Sequence, residues 1–478
     1  MNTLCWHRLN HPTSKWRALL FLCATAAVIG CITGSVQAQN LPCETPATAN
    51  TNIALARFNT DGTLDPTFGE AGIRQLDLGC DADNVGDTVW NLERDAQDQL
   101  IVFGATKGAE TRIDRDRVVI RFTADGALDT TFATGGIHTL NLANLNDNAR
   151  KGIVLPDDRL LAAGYASLPT QVGAQSANHV VLLQLNGDGT PDLTFGFEGV
   201  ATANPFVPDT PTPTPWGMVE AYGVGRQSTG NYVTTGYGRT AAEGTVDVVS
   251  LRFTPDGFLD PTWGAGGVVL LDLIGEDDRG RNMVVLPDDR VLIVGTATPV
   301  SLNGDALVVI LDPNGNFDPQ FDADGWKVYD FGRTDEQFYG AALAPSGNWA
   351  AAAGYSTDDA SGSDATLLLL PLPGGADLSQ VVALAAAEDD RFWGVTFDAS
   401  DNVYAAGFVT MGGDRQTAVA RFTTDGVLDP TFGTAGVATV NLITSATAAE
   451  EARSVVIQSD GKIVVAGTVV VAEAPVAP

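Results

Sequence analysis

From residue 52 to residue 471 short apolar runs alternate with polar punctuation. Val, Ile, Leu and Ala dominate the runs, and Gly, Asp and Pro separate them. No stretch after residue 38 sustains a helical period, so the pattern predicts strands throughout. Four short strands fit into each unit. Strand a follows a long turn, as in Gly267–Leu273, and strand b covers Asn282–Leu286. Strand c covers Arg290–Ala297, and strand d ends at an Arg-Phe pair, as in Val248–Phe253. The b-to-c link reads as a tight hairpin. Pro156-Asp157-Asp158-Arg159, or Ser459-Asp460-Gly461-Lys462, supplies Asx or Gly where positive φ is needed.

The long turn is written seven times. Its clearest copy holds Arg57, Phe58, Asp61, Gly62, Leu64, Asp65, Pro66, Thr67, Phe68, Gly69 and Gly72. It returns at 121–136, 185–199, 252–267, 311–325 and 421–436, with a worn copy near Pro373, Gly374 and Asp377. A second signature interleaves with it and ends at Gly104, Gly164, Gly236, Gly295, Gly354, Gly407 and Gly467. The spacing is about 61 residues, the scale of stacked supersecondary units. In the turn, Asp65 is positioned to accept the Thr67 and Phe68 amides, and Leu64 and Phe68 to plug the gap between sheets.

Four-stranded antiparallel units of this kind predict an all-β, seven-bladed β-propeller. The chain starts with an isolated strand d, Asn52–Phe58, and ends with an a-b-c set, Gly436–Val471. Joined, they complete one blade and leave no open edge. The domain reading is a signal peptide at 1–38, a linker at 39–51, the propeller at 52–471 and an Ala/Pro-rich tail at 472–478.

Arg-Phe-x-x-Asp-Gly-x-Leu-Asp-x-Thr-Phe-Gly, followed by a Pro-Asp-Gly-Lys-like hairpin and Val-Ala-Gly, resembles the delta-60 repeat family over residues 50 to 470. The resemblance implies a bacterial, exported, propeller-like protein with no assigned biochemical activity. The sixth unit departs from it, since Pro373-Gly374-Gly375-Ala376-Asp377 lacks the Thr-Phe-Gly and leaves its first strand undefined.

Composition adds an address and excludes a partner. Residues 1–38 carry Arg8, Lys15 and Arg17, then the apolar run Ala18–Ile29, then small residues, with Val36 and Ala38 placed for cleavage before Gln39. That predicts a secreted or periplasmic protein. A second reading stands beside it: Val28-Ile29-Gly30-Cys31 resembles a lipobox, with Cys31 lipidated and the protein anchored through it. No later segment is long and apolar enough to span a bilayer. The chain carries a net charge of −31; without the three basic residues of 1–38, 24 basic residues face 58 acidic ones, a net of −34. Such a surface repels nucleic acid. Of the two cysteines after the leader, Cys43 and Cys80, the propeller geometry places both on one face, which makes a disulfide between them an option.

Comparing blades separates scaffold from site. Five residues past the last Gly of the turn stand Asp77, Asn141, Asn204, Asp272, Asp330 and Asn441, with Leu384 in the irregular sixth unit, read as Asx caps or as a ring near the axis. Before strand b stand Asp87, Asp147, Val219, Asp278, Glu336, Asp390 and Glu450; the six acids read as solvated turn residues or, as the weaker option, oxygen ligands for Ca²⁺. No other cofactor is indicated. Three residues later the blades diverge into Trp90, Arg150, Tyr222, Arg281, Tyr339, Trp393 and Arg453. Aromatic platforms beside carboxylates suit a glycan, peptide or protein ligand. Trp216, at the end of the Pro- and Thr-rich insertion Asn204–Pro215, joins that set. His138 and His179 fall on different strands, and no nucleophile elbow, zincin, P-loop or Cys-x-x-Cys motif occurs. The expectation is a monomeric, non-enzymatic binding or surface-interaction module using the face of the a-to-b loops. The alternative is a polysaccharide hydrolase or lyase using carboxylates of the acidic ring.

Overall fold

The computed structural model describes residues 51–470, apart from 79–85, 109–111, 170–175, 206–214, 242, 300–302, 359–361, 373, 385–387 and 443–449. Among the described residues there are 28 strands and no helix. They form seven antiparallel sheets of four strands, the seven blades of a β-propeller.

Strand b is the innermost strand of every blade. The seven copies are Thr88–Arg94, Asp147–Val154, Met218–Arg226, Asp278–Val285, Asp335–Leu343, Asp390–Phe397 and Glu450–Ile457. Each of these hub strands contacts the hub strands of both neighbouring blades, and the circle closes between the last and the first. Outward from the hub come strand c, strand d and the short strand a. Strand a was expected near the axis; it is the rim strand, paired to the strand d that precedes it through the long turn. Within that turn the Arg57 amide donates to the Gly72 carbonyl (3.1 Å) and the Asp65 amide to the Arg57 carbonyl (2.8 Å), holding d and a together. Asp77, Asn141, Asn204, Asp272, Asp330 and Asn441 therefore stand at the periphery and do not ring the channel.

The closure forms, with a different split. Thr51–Phe58 pairs antiparallel with Ile463–Val470 along its whole length, Thr51 facing Val470 and Phe58 facing Ile463. The blade is completed by Glu450–Ile457 inside and Ile73–Leu76 outside, so each end of the chain supplies two strands. The strand at Val437–Val440 belongs to the preceding blade. In the irregular sixth unit Leu378–Val382 forms the rim strand despite the worn turn.

The core lies between blades. Phe68 is fully buried among Ile53, Leu76, Val118, Ile120 and Phe122. Gly126, in the following copy of the turn, has φ +85° and lies against the Phe68 ring, where a Cβ would come within 2.7 Å of it. Asp65 clamps its turn through the Thr67 amide (3.0 Å) and hydroxyl (2.7 Å) and through Arg57 Nε (2.8 Å). The Phe68 amide goes to the Asp65 main-chain carbonyl instead of the side chain (3.2 Å). These bonds hold the Asp65 carboxyl well below the ordinary carboxylate range, against the opposing effect of burial.

Candidate functional site

Every hub strand carries one β-bulge, and in every blade the inserted residue is the divergent one. The register slips between Val89 and Asn91, Ala149 and Lys151, Ala221 and Gly223, and Gly280 and Asn282. It slips again between Phe338 and Gly340, Phe392 and Gly394, and Ala452 and Ser454. The unpaired residues are thus Trp90, Arg150, Tyr222, Arg281, Tyr339, Trp393 and Arg453, turned out of the pleat into the channel. The second signature supplies the room. Its seven glycines, Gly104 through Gly467, each face the residue just before the bulge. A Cβ on any of them would lie between 1.7 and 2.0 Å from a hub-strand carbonyl oxygen, such as that of Gln337 for Gly354. Glycine in strand c is the local condition for the bulge in strand b.

The seven side chains close into a belt. The Arg150 guanidinium lies 3.7 Å from the Trp90 ring centre and 4.7 Å from that of Tyr222. Arg281 lies 5.5 Å from Tyr222 and 5.0 Å from Tyr339. Tyr339 meets Trp393 edge to face at 4.6 Å. Arg453 bridges Trp393 (4.3 Å) and Trp90 (5.1 Å). Cation–π contacts of this kind contribute about 0.5–2 kcal/mol each, depending on desolvation. All seven residues are half-buried.

Below the belt, toward the a-to-b loops, tyrosines back it. Arg150 donates to the Tyr165 hydroxyl (3.0 Å), the Tyr222 and Tyr237 hydroxyls bond at 2.7 Å, and Tyr355 stacks on Tyr339. Burial raises the Tyr222 phenol, so it stays protonated. Above the belt a cavity of about 480 Å³ is walled by the residues that follow it in the hub strands, among them Asn91, Glu93, Lys151, Asn282, Thr396 and Ser454. Glu93 is paired with Lys151 at 3.1 Å. The belt is therefore the floor of a cup on the side of the b-to-c hairpins and long turns, the opposite end from the expected a-to-b loop face.

The acidic ring has a different fate. Asp87, Asp147, Asp278, Glu336, Asp390 and Glu450 are wholly buried, not solvated. Each accepts a backbone amide from the a-to-b link. The donors are Leu78, Leu142, Leu273, Arg333, Leu384 and Leu442, at 2.8–2.9 Å. They latch each link to the hub strand that follows it. Burial pushes Asp87 up to about 7 and Asp147 well above its ordinary value. Val219 occupies the same position in the third blade as a buried apolar residue.

Trp216 is not part of the cup. It is 5 % exposed and packs in a core cluster with Phe195, Val219 and Tyr232. Its amide donates to the Pro205 carbonyl at 2.9 Å. His138 and His179 lie on different strands, and burial lowers each to about 4. Cys31, Ala38, Gln39, Cys43 and Cys80 lie outside the described residues.

Segments 47–68, 109–132, 155–195, 286–321, 399–432 and 458–476 match the family described as "Domain of unknown function (DUF5122) beta-propeller". The matched segments hold hairpins, c and d strands and long turns, and none contains a belt residue. No curated protein matches the chain. Among solved structures the chain is similar to a glucose dehydrogenase (13 % identity, TM-score 0.39, covering 67 % of this chain and 92 % of that one). It is also similar to the polysaccharide lyase Uly1 (11 %, TM-score 0.42, 82 % and 91 %). A third is PorZ, a surface component of the type-IX secretion system of Porphyromonas gingivalis (9 %, TM-score 0.35, 78 % and 45 %). Likeness at this level carries no chemistry across. With seven four-stranded blades and family matches on the scaffold of most of them, the chain is a β-propeller repeat protein.

Proposed function

We propose that this is an exported, non-enzymatic binding module of the delta-60 type, and that its ligand, a glycan or peptide, sits in the hub cup. One observation carries the reading. Seven bulges, each with its own enabling glycine, aim seven different side chains at a single cavity. A fold spends that much geometry on a surface that is read by something else. Aromatic faces and guanidinium groups on a polar-walled floor suit the apolar faces and oxygens of a sugar, or the side chains of a peptide.

The alternative, polysaccharide hydrolysis by paired carboxylates, loses support. The acids it would use are buried against backbone amides, and among the described residues the cup wall holds one carboxylate, Glu93, bound to Lys151. Two carboxyl groups flanking a scissile bond are what such chemistry needs.

The test is a glycan and peptide array with the purified full chain, followed by Tyr339→Ala and Trp393→Ala. The expected result is loss of binding of at least tenfold in either variant, with Tm lowered by a few degrees at most. Binding that survives both changes, or polysaccharide cleavage that either change abolishes, would overturn the reading.

A further inference from the structure

At each blade junction three side chains converge on the a-to-b loop side. One comes from the start of strand d, one stands opposite it just past the rim strand, and one is the latch acid of the next hub strand. The seven junctions handle charge differently. In the first, Asp116 is paired with Arg112, and Asn141 replaces one acid. Between the fifth and sixth blades Asp364 is paired with Arg333, and Ala383 stands opposite it. Between the second and third blades the trio is His179, Asn204 and Val219, with no acid at all.

Two consecutive junctions keep all three carboxylates. Asp247, Asp272 and Asp278 bring one carboxylate oxygen each within 4.8 Å of the others, and Asp305, Asp330 and Glu336 do the same one blade further on. Among the described residues no Arg or Lys pairs with any of the six. Asp278 and Glu336 are wholly buried, and each has one oxygen accounted for by backbone amides. The other oxygen, Asp278 Oδ1 or Glu336 Oε2, is buried and meets no donor at hydrogen-bond geometry among the described residues. An anionic oxygen left so inside a protein is costly unless a cation meets it.

We propose that these two junctions are Ca²⁺ sites, each ligated by its three carboxylates. Ca²⁺ takes six to eight oxygen ligands at roughly 2.3–2.6 Å in adaptable geometry, so two ligands on one ion lie at most about 5 Å apart. The 4.8 Å grouping fits that limit. The exposed member, Asp272 or Asp330, leaves the solvent side for water ligands. The ions tie strand d and the rim of one blade to the hub of the next, bracing blades three, four and five as a unit. Burial, then the neighbouring acids, raises Asp247 to about 6, and burial dominates the rise of Glu336 to about 7.

The test is calorimetric titration of the EDTA-dialysed full chain with CaCl₂ in about 0.15 M KCl, which screens diffuse attraction to the acidic surface. Two ions per chain are expected, with a rise in Tm on saturation. Asp272→Asn and Asp330→Asn are surface changes that leave the fold intact, as circular dichroism checks. Each should reduce the count to one, and the double variant should bind none and lose the Tm rise. The surface control Asp322→Asn should leave both sites. No binding heat, binding unchanged in the double variant, or an equal loss with Asp322→Asn would overturn the proposal. Loss with only one of the two changes would strike out the other junction.

Discussion

Two rings of side chains share the same seven strands, three residues apart, and they obey opposite rules. The latch position is an acid in six blades, and in all six it accepts a backbone amide of the a-to-b link. The belt position changes chemistry from blade to blade while its geometry stays fixed by the bulge. The first kind of repetition maintains a wheel. The second uses the wheel to hold unlike groups at equal intervals. The family match falls on the scaffold around both rings and contains no residue of either.

The sharpest way to break this contrast is to fill the space behind one bulge. Gly354→Ala puts a methyl group 1.7 Å from the Gln337 carbonyl. It should cost on the order of 3 kcal/mol and displace Tyr339, read as a large fall in Tm; an unchanged Tm would mean the glycine does not enable the bulge. Next comes the latch. Asp390 accepts the Leu384 amide at 2.9 Å and the Ala365 amide at 2.7 Å. Asp390→Ala should cost about 1–3 kcal/mol in denaturant titration, whereas a loss of a few tenths would make the acid a passive tenant.

A finer probe uses pH. The Asp87 carboxyl is raised to about 7 in the fold, burial outweighing the Thr106 and Leu78 donors. The folded chain therefore keeps a proton that the unfolded chain releases near pH 4. Stability from this group falls as pH rises from about 4 to about 7 and levels off above. Asp87→Asn should gain on the wild type across that window; a constant difference in Tm would show that Asp87 is charged in place. The smallest effect belongs to the belt. Among the described residues Arg281 is held by ring contacts, so Arg281→Ala should cost under about 1 kcal/mol while still weakening ligand binding.

Much of the wheel was legible in the chain, because turn, hairpin and period are local signals. Counting back from each hairpin even located the belt. The phase of the blade was not legible: a four-residue rim strand such as Ile73–Leu76 follows a turn and precedes a loop, and only cross-strand bonds show which neighbour owns it. The burial of the latch acids was hidden for a related reason. Their partners are backbone amides, which leave no mark in composition, so Asp-rich punctuation reads as solvated. Trp216 was misplaced because its Pro- and Thr-rich approach gives no hint that the ring turns inward.

Seven is an odd number, and a strict alternation of cation and ring cannot close around it. One like-with-like neighbour pair is unavoidable, and Tyr339 beside Trp393 is where it falls. That single fault gives a nearly rotationally symmetric hub a compass bearing: one seam marks a direction that the other six contacts do not.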